Sequence, residues 1–120
     1  MPRVLLVDDD PAILRLLEVN FRLEGFETLT ASRGEDALIA VAEGAPDAVV
    51  LDVMLPGIDG REVYRRLRED PASAALPVVF LTARPGEDER TPPGAVCLGK
   101  PFDPQELVDT VRRAIGGSTA

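Results

Sequence analysis

The sequence predicts an α/β fold, a doubly wound sheet of five parallel strands with helices on both faces. Two observations predict it. Short, continuous apolar runs rich in β-branched residues recur along the chain, as expected of strands buried on both faces. Between them lie stretches with apolar residues at helical spacing, bounded by capping residues and glycines, which is the pattern of right-handed βαβ crossovers. One segment breaks the alternation. "RPGEDERTPPGA" (84–95) carries three prolines and two glycines and leaves room for one helical turn at most, so a shortened or missing fourth helix is expected.

The elements follow in order. "RVLLV" (3–7) is a buried strand. Asp10-Pro11 is an N-cap followed by proline at the first helical position, and Ile13, Leu16, Leu17 and Phe21 recur at helical spacing until Gly25 stops the helix. "FETLTA" (26–31) alternates as an outer strand should. "SRGE" (32–35) has the spacing of a capping box; Ala37, Leu38, Val41 and Ala42 form the next stripe, and Gly44 ends it. "DAVVLD" (47–52) is the most continuously apolar strand and is placed centrally. A helix follows over about 59–69 with Val63 and Leu67 inward. "PVVFLTA" (77–83) and "AVCLGK" (95–100) are the fourth and fifth strands. Asp103-Pro104 starts the last helix, with Glu106 completing a cap pattern and Leu107, Val108, Val111, Ala114 and Ile115 as its buried stripe. Residues 1–116 form one domain, and the tail 117–120 is expected to be flexible.

Composition narrows the chemistry. The chain has 120 residues, enough for one domain with a real core. It has no histidine and one cysteine, Cys97. A disulfide within the chain is excluded, as are histidine-dependent triads, and zinc, copper and iron–sulfur sites lack their preferred ligands. A bound metal must be a hard cation held by oxygen. The net charge of −8 argues against direct nucleic acid binding by this chain. No membrane-spanning run and no secretory signal are visible, so a cytoplasmic location is expected.

Ligands of parallel sheets bind at the carboxyl ends of the strands. The first strand ends in Asp8 and Asp9, the third in Asp52, the fourth in Thr82 and the fifth in Lys100. Three carboxylates brought together repel one another, and a divalent cation relieves that. Mg²⁺ suits such a site because it prefers oxygen, keeps several waters and takes few carboxylates. Asp9 and Asp52 are expected as direct ligands, Asp8 directly or through water, and the backbone carbonyl of Met54 completes the set. Such a site suits phosphoryl transfer. Asp52 is the nucleophile, Lys100 pairs with one phosphoryl oxygen, and the Thr82 hydroxyl donates to another.

The motifs "LLVDDD", "LDVMLPGIDG", "LTA" and "KPF", in that order and over essentially the whole chain, resemble those of a bacterial response-regulator receiver domain of the CheY-like type. The resemblance implies the flavodoxin/CheY-like strand order 2-1-3-4-5, Asp52 as phosphoacceptor, Asp8 and Asp9 as the acidic pair, Thr82 as the switch hydroxyl and Lys100 as the phosphate-binding lysine. It implies a sensor histidine kinase or histidine phosphotransfer protein as donor, and a cis bond at Lys100-Pro101. In "LPGIDG", Pro56 and Gly60 shape the approach to the next helix. Two positions depart from the family. Cys97 stands where an aromatic residue is usual, three before the lysine. The stretch 83–99 is about one helical turn shorter than usual. These departures bear on how a signal leaves the domain, through a downstream effector protein or an effector domain lost from the chain.

Blander roles weigh beside these. Asp10 and Asp59 read as helix caps, Cys97 as a small apolar core residue, Arg65, Arg66 and Arg68 as a solvated helix face, and 86–91 as a solvated loop. Met54 and Arg84, each two residues beyond a site residue, modulate the lifetime of a phosphorylated Asp52; apolar Met54 cannot orient an attacking water, so slow self-dephosphorylation is expected. The alternative function is a receiver-like interaction module with little or no phosphorylation-dependent switching. A haloacid-dehalogenase-like phosphatase is disfavoured because Met54 occupies the place of that family's second aspartate. No P-loop, dinucleotide or flavodoxin phosphate loop is present. The chain is expected to be a switch, not a turnover enzyme.

Overall fold

The computed structural model describes residues 1–82 and 96–116. The elements run β1 (Arg3–Val7), α1 (Pro11–Leu23), β2 (Glu27–Ala31), α2 (Gly34–Gly44), β3 (Ala48–Asp52), α3 (Gly60–Glu69), β4 (Val78–Thr82), β5 (Val96–Gly99) and α4 (Pro104–Ile115). The five strands form one parallel sheet in the order β2-β1-β3-β4-β5, as expected. β3 lies between β1 and β4 and is buried at every position, and β2 is an edge strand. The expected shortening of a fourth helix, Arg84 and the tail 117–120 lie outside the described residues. Among the described residues no helix is long and apolar enough to cross a membrane.

The alternation of the strands divides the core in two. Val4, Leu6, Val50, Val79 and Leu81 pack with Leu17 and Phe21 of α1 and with Leu107, Val108 and Val111 of α4 on one face. Leu5, Val7, Val49, Leu51 and Phe80 pack with Ala37 of α2 and with Val63 and Leu67 of α3 on the other. Each buried side chain of this size contributes about 1.5–3 kcal/mol, so the two layers dominate stability. The exposed ion pairs of Glu62 with Arg65 and Arg66 are screened by solvent and add little beside that burial. These arginines do line a solvated face, and their hydrogen bonds hold the Glu62 carboxyl down to about 2.

Helix starts follow their capping residues in three cases. Asp10 accepts from the Ala12 N–H, Asp59 from the Glu62 N–H and Asp103 from the Gln105 N–H, each at 2.9 Å. Gly25 takes a positive φ of 90° just beyond α1, a conformation that costs glycine little. Three local expectations, the capping box, Leu16 and Ala42, are corrected. The capping box at Ser32–Glu35 does not form: Arg33 is the N-cap of α2 and makes no side-chain capping bond. Gly44 ends α2 as expected, with the left-handed turn falling on Ala45 at φ 45°. Leu16 is exposed because the sheet covers the Ile13, Leu17 and Phe21 side of α1. Ala42 is exposed, one position past the half-buried Val41.

Candidate functional site

Period-two alternation assembles the site. On the face holding Leu6, Val50 and Leu98, the next outward step along each strand is Asp8, Asp52 and Lys100. The Lys100 N–H donates to the Thr82 carbonyl at 2.8 Å, which extends the β4–β5 ladder and fixes where the lysine leaves the sheet. The Lys100-Pro101 bond is cis, as the motif implies.

The lysine bridges two acids. Its Nζ donates to Asp52 Oδ2 at 2.9 Å and to Asp8 Oδ2 at 3.1 Å. The other oxygen of each carboxylate accepts a backbone N–H two residues on: Asp8 Oδ1 from Asp10 at 2.9 Å, and Asp52 Oδ1 from Met54 at 3.0 Å. Asp8 and Asp52 are 1% and 6% exposed. Asp9 is exposed, yet offers an oxygen that lies with oxygens of Asp8 and Asp52 in a group spanning at most 4.8 Å.

Burial raises the Asp8 pKa, and the charge of Asp52 adds to that; the Asp10 N–H and Lys100 oppose the rise without cancelling it. Burial works to lower the Lys100 pKa, but its hydrogen bonds and attraction to Asp52 and Asp8 outweigh burial and leave it raised. The directions have different leading causes, burial for Asp8 and the two acidic partners for Lys100, and three carboxylates are gathered around a site that holds a single ammonium. The site carries uncompensated negative charge on oxygen ligands, and that donor set fits a hard dication.

Of the expected residues, Asp8, Asp9, Asp52 and Lys100 are brought together. Thr82 ends β4 beside them, 2% exposed, with its backbone tied to Lys100. Met54 directs its N–H at Asp52, and the residue is 58% exposed. Cys97 is half-buried, pairs with Phe80 across β4–β5 and packs against the second core layer, in keeping with the small-apolar reading. Gly60 sits where α3 crosses the end of β3; a Cβ there would run into the Asp52 carbonyl oxygen. Its N–H donates to the Val53 carbonyl at 2.9 Å. Two features are absent from the sequence reading. One is the Lys100 bridge between Asp8 and Asp52. The other is the pair of backbone N–H donors, whose signal was available: each acid stands two residues before a non-proline residue, the spacing of an Asx turn.

A five-stranded α/β sheet with an acidic cluster and a lysine at its carboxyl edge defines a class of signalling domain, and the comparisons agree. The sequence model of the response regulator receiver domain matches residues 4–112. The chain is 41% identical over 116 residues to the phosphate regulon transcriptional regulatory protein PhoB of Rhizobium meliloti, covering 93% of this chain and 51% of that protein. Its structure resembles the chemotaxis response regulator CheY4 of Vibrio cholerae, with a TM-score of 0.88, 30% identity, and 95% and 98% of the two chains covered. It also resembles the receiver domain of a sensor histidine kinase from Pseudomonas aeruginosa, which has a magnesium ion coordinated in its active site cleft (TM-score 0.88, 28% identity, 97% and 98% covered).

The chain belongs to the response regulator receiver domain family of two-component systems. It spans about half the length of the curated relatives it matches. Receiver domains are signalling switches rather than turnover enzymes.

Proposed function

We propose that this chain is the phospho-accepting switch of a two-component phosphorelay, in which Asp52 takes a phosphoryl group from a histidine kinase or phosphotransfer protein and thereby changes partner binding. The observation that carries the reading is the Lys100 ammonium held between Asp52 and Asp8, at 2.9 and 3.1 Å, beside the exposed carboxylate of Asp9. Asp8, Asp9, Asp52 and the Met54 carbonyl would hold Mg²⁺. When bound, that ion neutralises the carboxylates and one phosphoryl oxygen.

The rest is done by the chain's own groups. An Asp52 carboxylate oxygen attacks phosphorus. The bond from phosphorus to the donor imidazole nitrogen breaks, the nitrogen keeps the electron pair, and an acyl phosphate forms. Lys100 exchanges its carboxylate partners for a phosphoryl oxygen, and the Thr82 hydroxyl donates to another. Thr82 movement then biases the adjoining strand and loop. The cytoplasm is the compartment of such a relay, and the output passes to an effector protein or effector domain rather than through nucleic acid binding by this acidic domain.

The test uses acetyl phosphate with Mg²⁺ and intact-mass measurement. The expected result is a gain of one phosphoryl group that is absent in Asp52→Ala. No gain, or a gain that persists in Asp52→Ala, contradicts the reading.

A further inference from the structure

Asp52 is followed by a loop, residues 53–59, whose path decides where the Met54 backbone lies. Two of its anchors come from the site strand and α3: the Met54 N–H on Asp52 Oδ1 and the Gly60 N–H on the Val53 carbonyl. The Val53 N–H also donates to the Leu81 carbonyl at 3.1 Å, Leu55 and Ile58 pack against the second core layer, and the first turn of α2, which the proposed chemistry does not use, meets the loop at residues 57 and 58. Gly34 is buried there, and a Cβ on it would stand 2.5 Å from both the carbonyl oxygen and Cγ1 of Ile58. Gly57, at the crest of the loop, has a φ of +75°. A Cβ on it would stand 2.6 and 2.7 Å from the two carboxylate oxygens of Glu35, and 3.0 Å from Arg33 Nη2. Arg33 and Glu35 are themselves paired at 3.8 Å. A third fact points the same way. The sequence offers Ser32 and Glu35 as a capping box, yet α2 begins without a side-chain cap, and Glu35 faces the loop.

We propose that the Arg33-Gly34-Glu35 turn is the platform that positions the phosphoacceptor loop, with Glu35 the positioning residue that sets the Met54 backbone against the acidic cluster. The proposal rests on the reading of Asp52 and its cation given above. Gly34 lets the start of α2 close on Ile58 and Gly57 lets the loop close on Glu35, so a change at the start of α2 bears directly on residues 57 and 58 and reaches Met54 along the loop backbone.

Three measurements on the whole chain test it: hydrogen exchange of the Met54 amide in metal-free protein, the Mg²⁺ dissociation constant by calorimetry, and the melting midpoint. The variants are Glu35→Ala, Glu35→Gln and Gly34→Ala, with Glu43→Ala at the far end of the same helix as control. In Glu35→Ala, Met54 exchange is expected to accelerate and Mg²⁺ binding to weaken about tenfold, while the melting midpoint matches the control. Glu35→Gln, which keeps the side chain's size, is expected to restore most of the loss. Exchange and affinity equal to wild type in Glu35→Ala overturn the platform, whether or not Gly34→Ala folds. A wild-type chain that neither binds Mg²⁺ nor gains a phosphoryl group overturns the underlying reading and the platform with it. A wild-type chain that does both, with Glu35→Ala indistinguishable from it, overturns the platform alone.

Discussion

Replacing Asp8 by asparagine is expected to stabilise the metal-free protein. Asp8 is 1% exposed, and its carboxylate lies within 4.8 Å of oxygens of Asp9 and Asp52. At an effective dielectric of about 20, two like charges at that distance repel by roughly 3.5 kcal/mol. Asp9 is exposed and its share is screened, so Asp52 supplies most of the repulsion. Lys100 at 3.1 Å returns roughly 5 kcal/mol on the same scale, but it also serves Asp52 at 2.9 Å. Desolvation of a buried carboxylate adds several kcal/mol of cost. The opposing effects nearly cancel, and the raised pKa of Asp8 says that burial and repulsion win. Asparagine removes the charge and keeps an acceptor for the Asp10 N–H, so the gain near pH 7 is expected to be about 1–2 kcal/mol, or roughly 4–8 °C in melting midpoint.

The pH dependence follows from the sign of the shift. A carboxyl whose folded pKa lies above its ordinary 3.8 carries its full penalty above the folded value and none below 3.8. The advantage of asparagine must therefore shrink as pH falls toward 3.8. It must also shrink when Mg²⁺ is added, because a cation that binds the native acids stabilises wild type more. The assay is urea unfolding followed by circular dichroism, in EDTA near pH 7 and near pH 4, and again with Mg²⁺. A loss of stability on Asp8→Asn in EDTA near pH 7, or an advantage independent of pH, contradicts the electrostatic account of the site.

Three further outcomes are expected. Met54→Asn places a polar side chain two residues after Asp52, where it can orient water, and should speed loss of the phosphoryl group severalfold; equal decay rates by phosphate release count against it. Gly60→Ala drives a Cβ into the Asp52 carbonyl oxygen and should cost about 2 kcal/mol in urea unfolding, and an unchanged midpoint would show that the crossing has slack. Asp59→Ala removes the side-chain acceptor of the Glu62 N–H and should cost about 1 kcal/mol; no loss would mean that water caps α3 equally well.

The strands were legible because parallel strands buried on both faces need near-continuous apolar runs, and "RVLLV", "DAVVLD" and "PVVFLT" could be little else. Asp10-Pro11 and Asp103-Pro104 marked helix starts because the cap and the proline act locally. "SRGE" failed for the opposite reason: the Glu35 carboxylate lies beside Gly57, more than 20 residues away, a placement that local spacing does not encode. Leu16 failed because spacing gives a stripe but not its centre. At the site, the residue types and the strand ends were legible. The sharing of Lys100 between Asp8 and Asp52 was not, since it is a compromise reached only when β1, β3 and β5 are assembled.

A crystal structure of the chain with Mg²⁺ and trifluoroberyllate, a phosphoryl mimic, puts the central claim to the most direct test. The expected structure has beryllium bonded to an Asp52 oxygen, the metal among Asp8, Asp9, Asp52 and the Met54 carbonyl, and Lys100 moved from Asp8 onto a fluorine. Beryllium absent from Asp52, or a metal bound away from those acids, contradicts it.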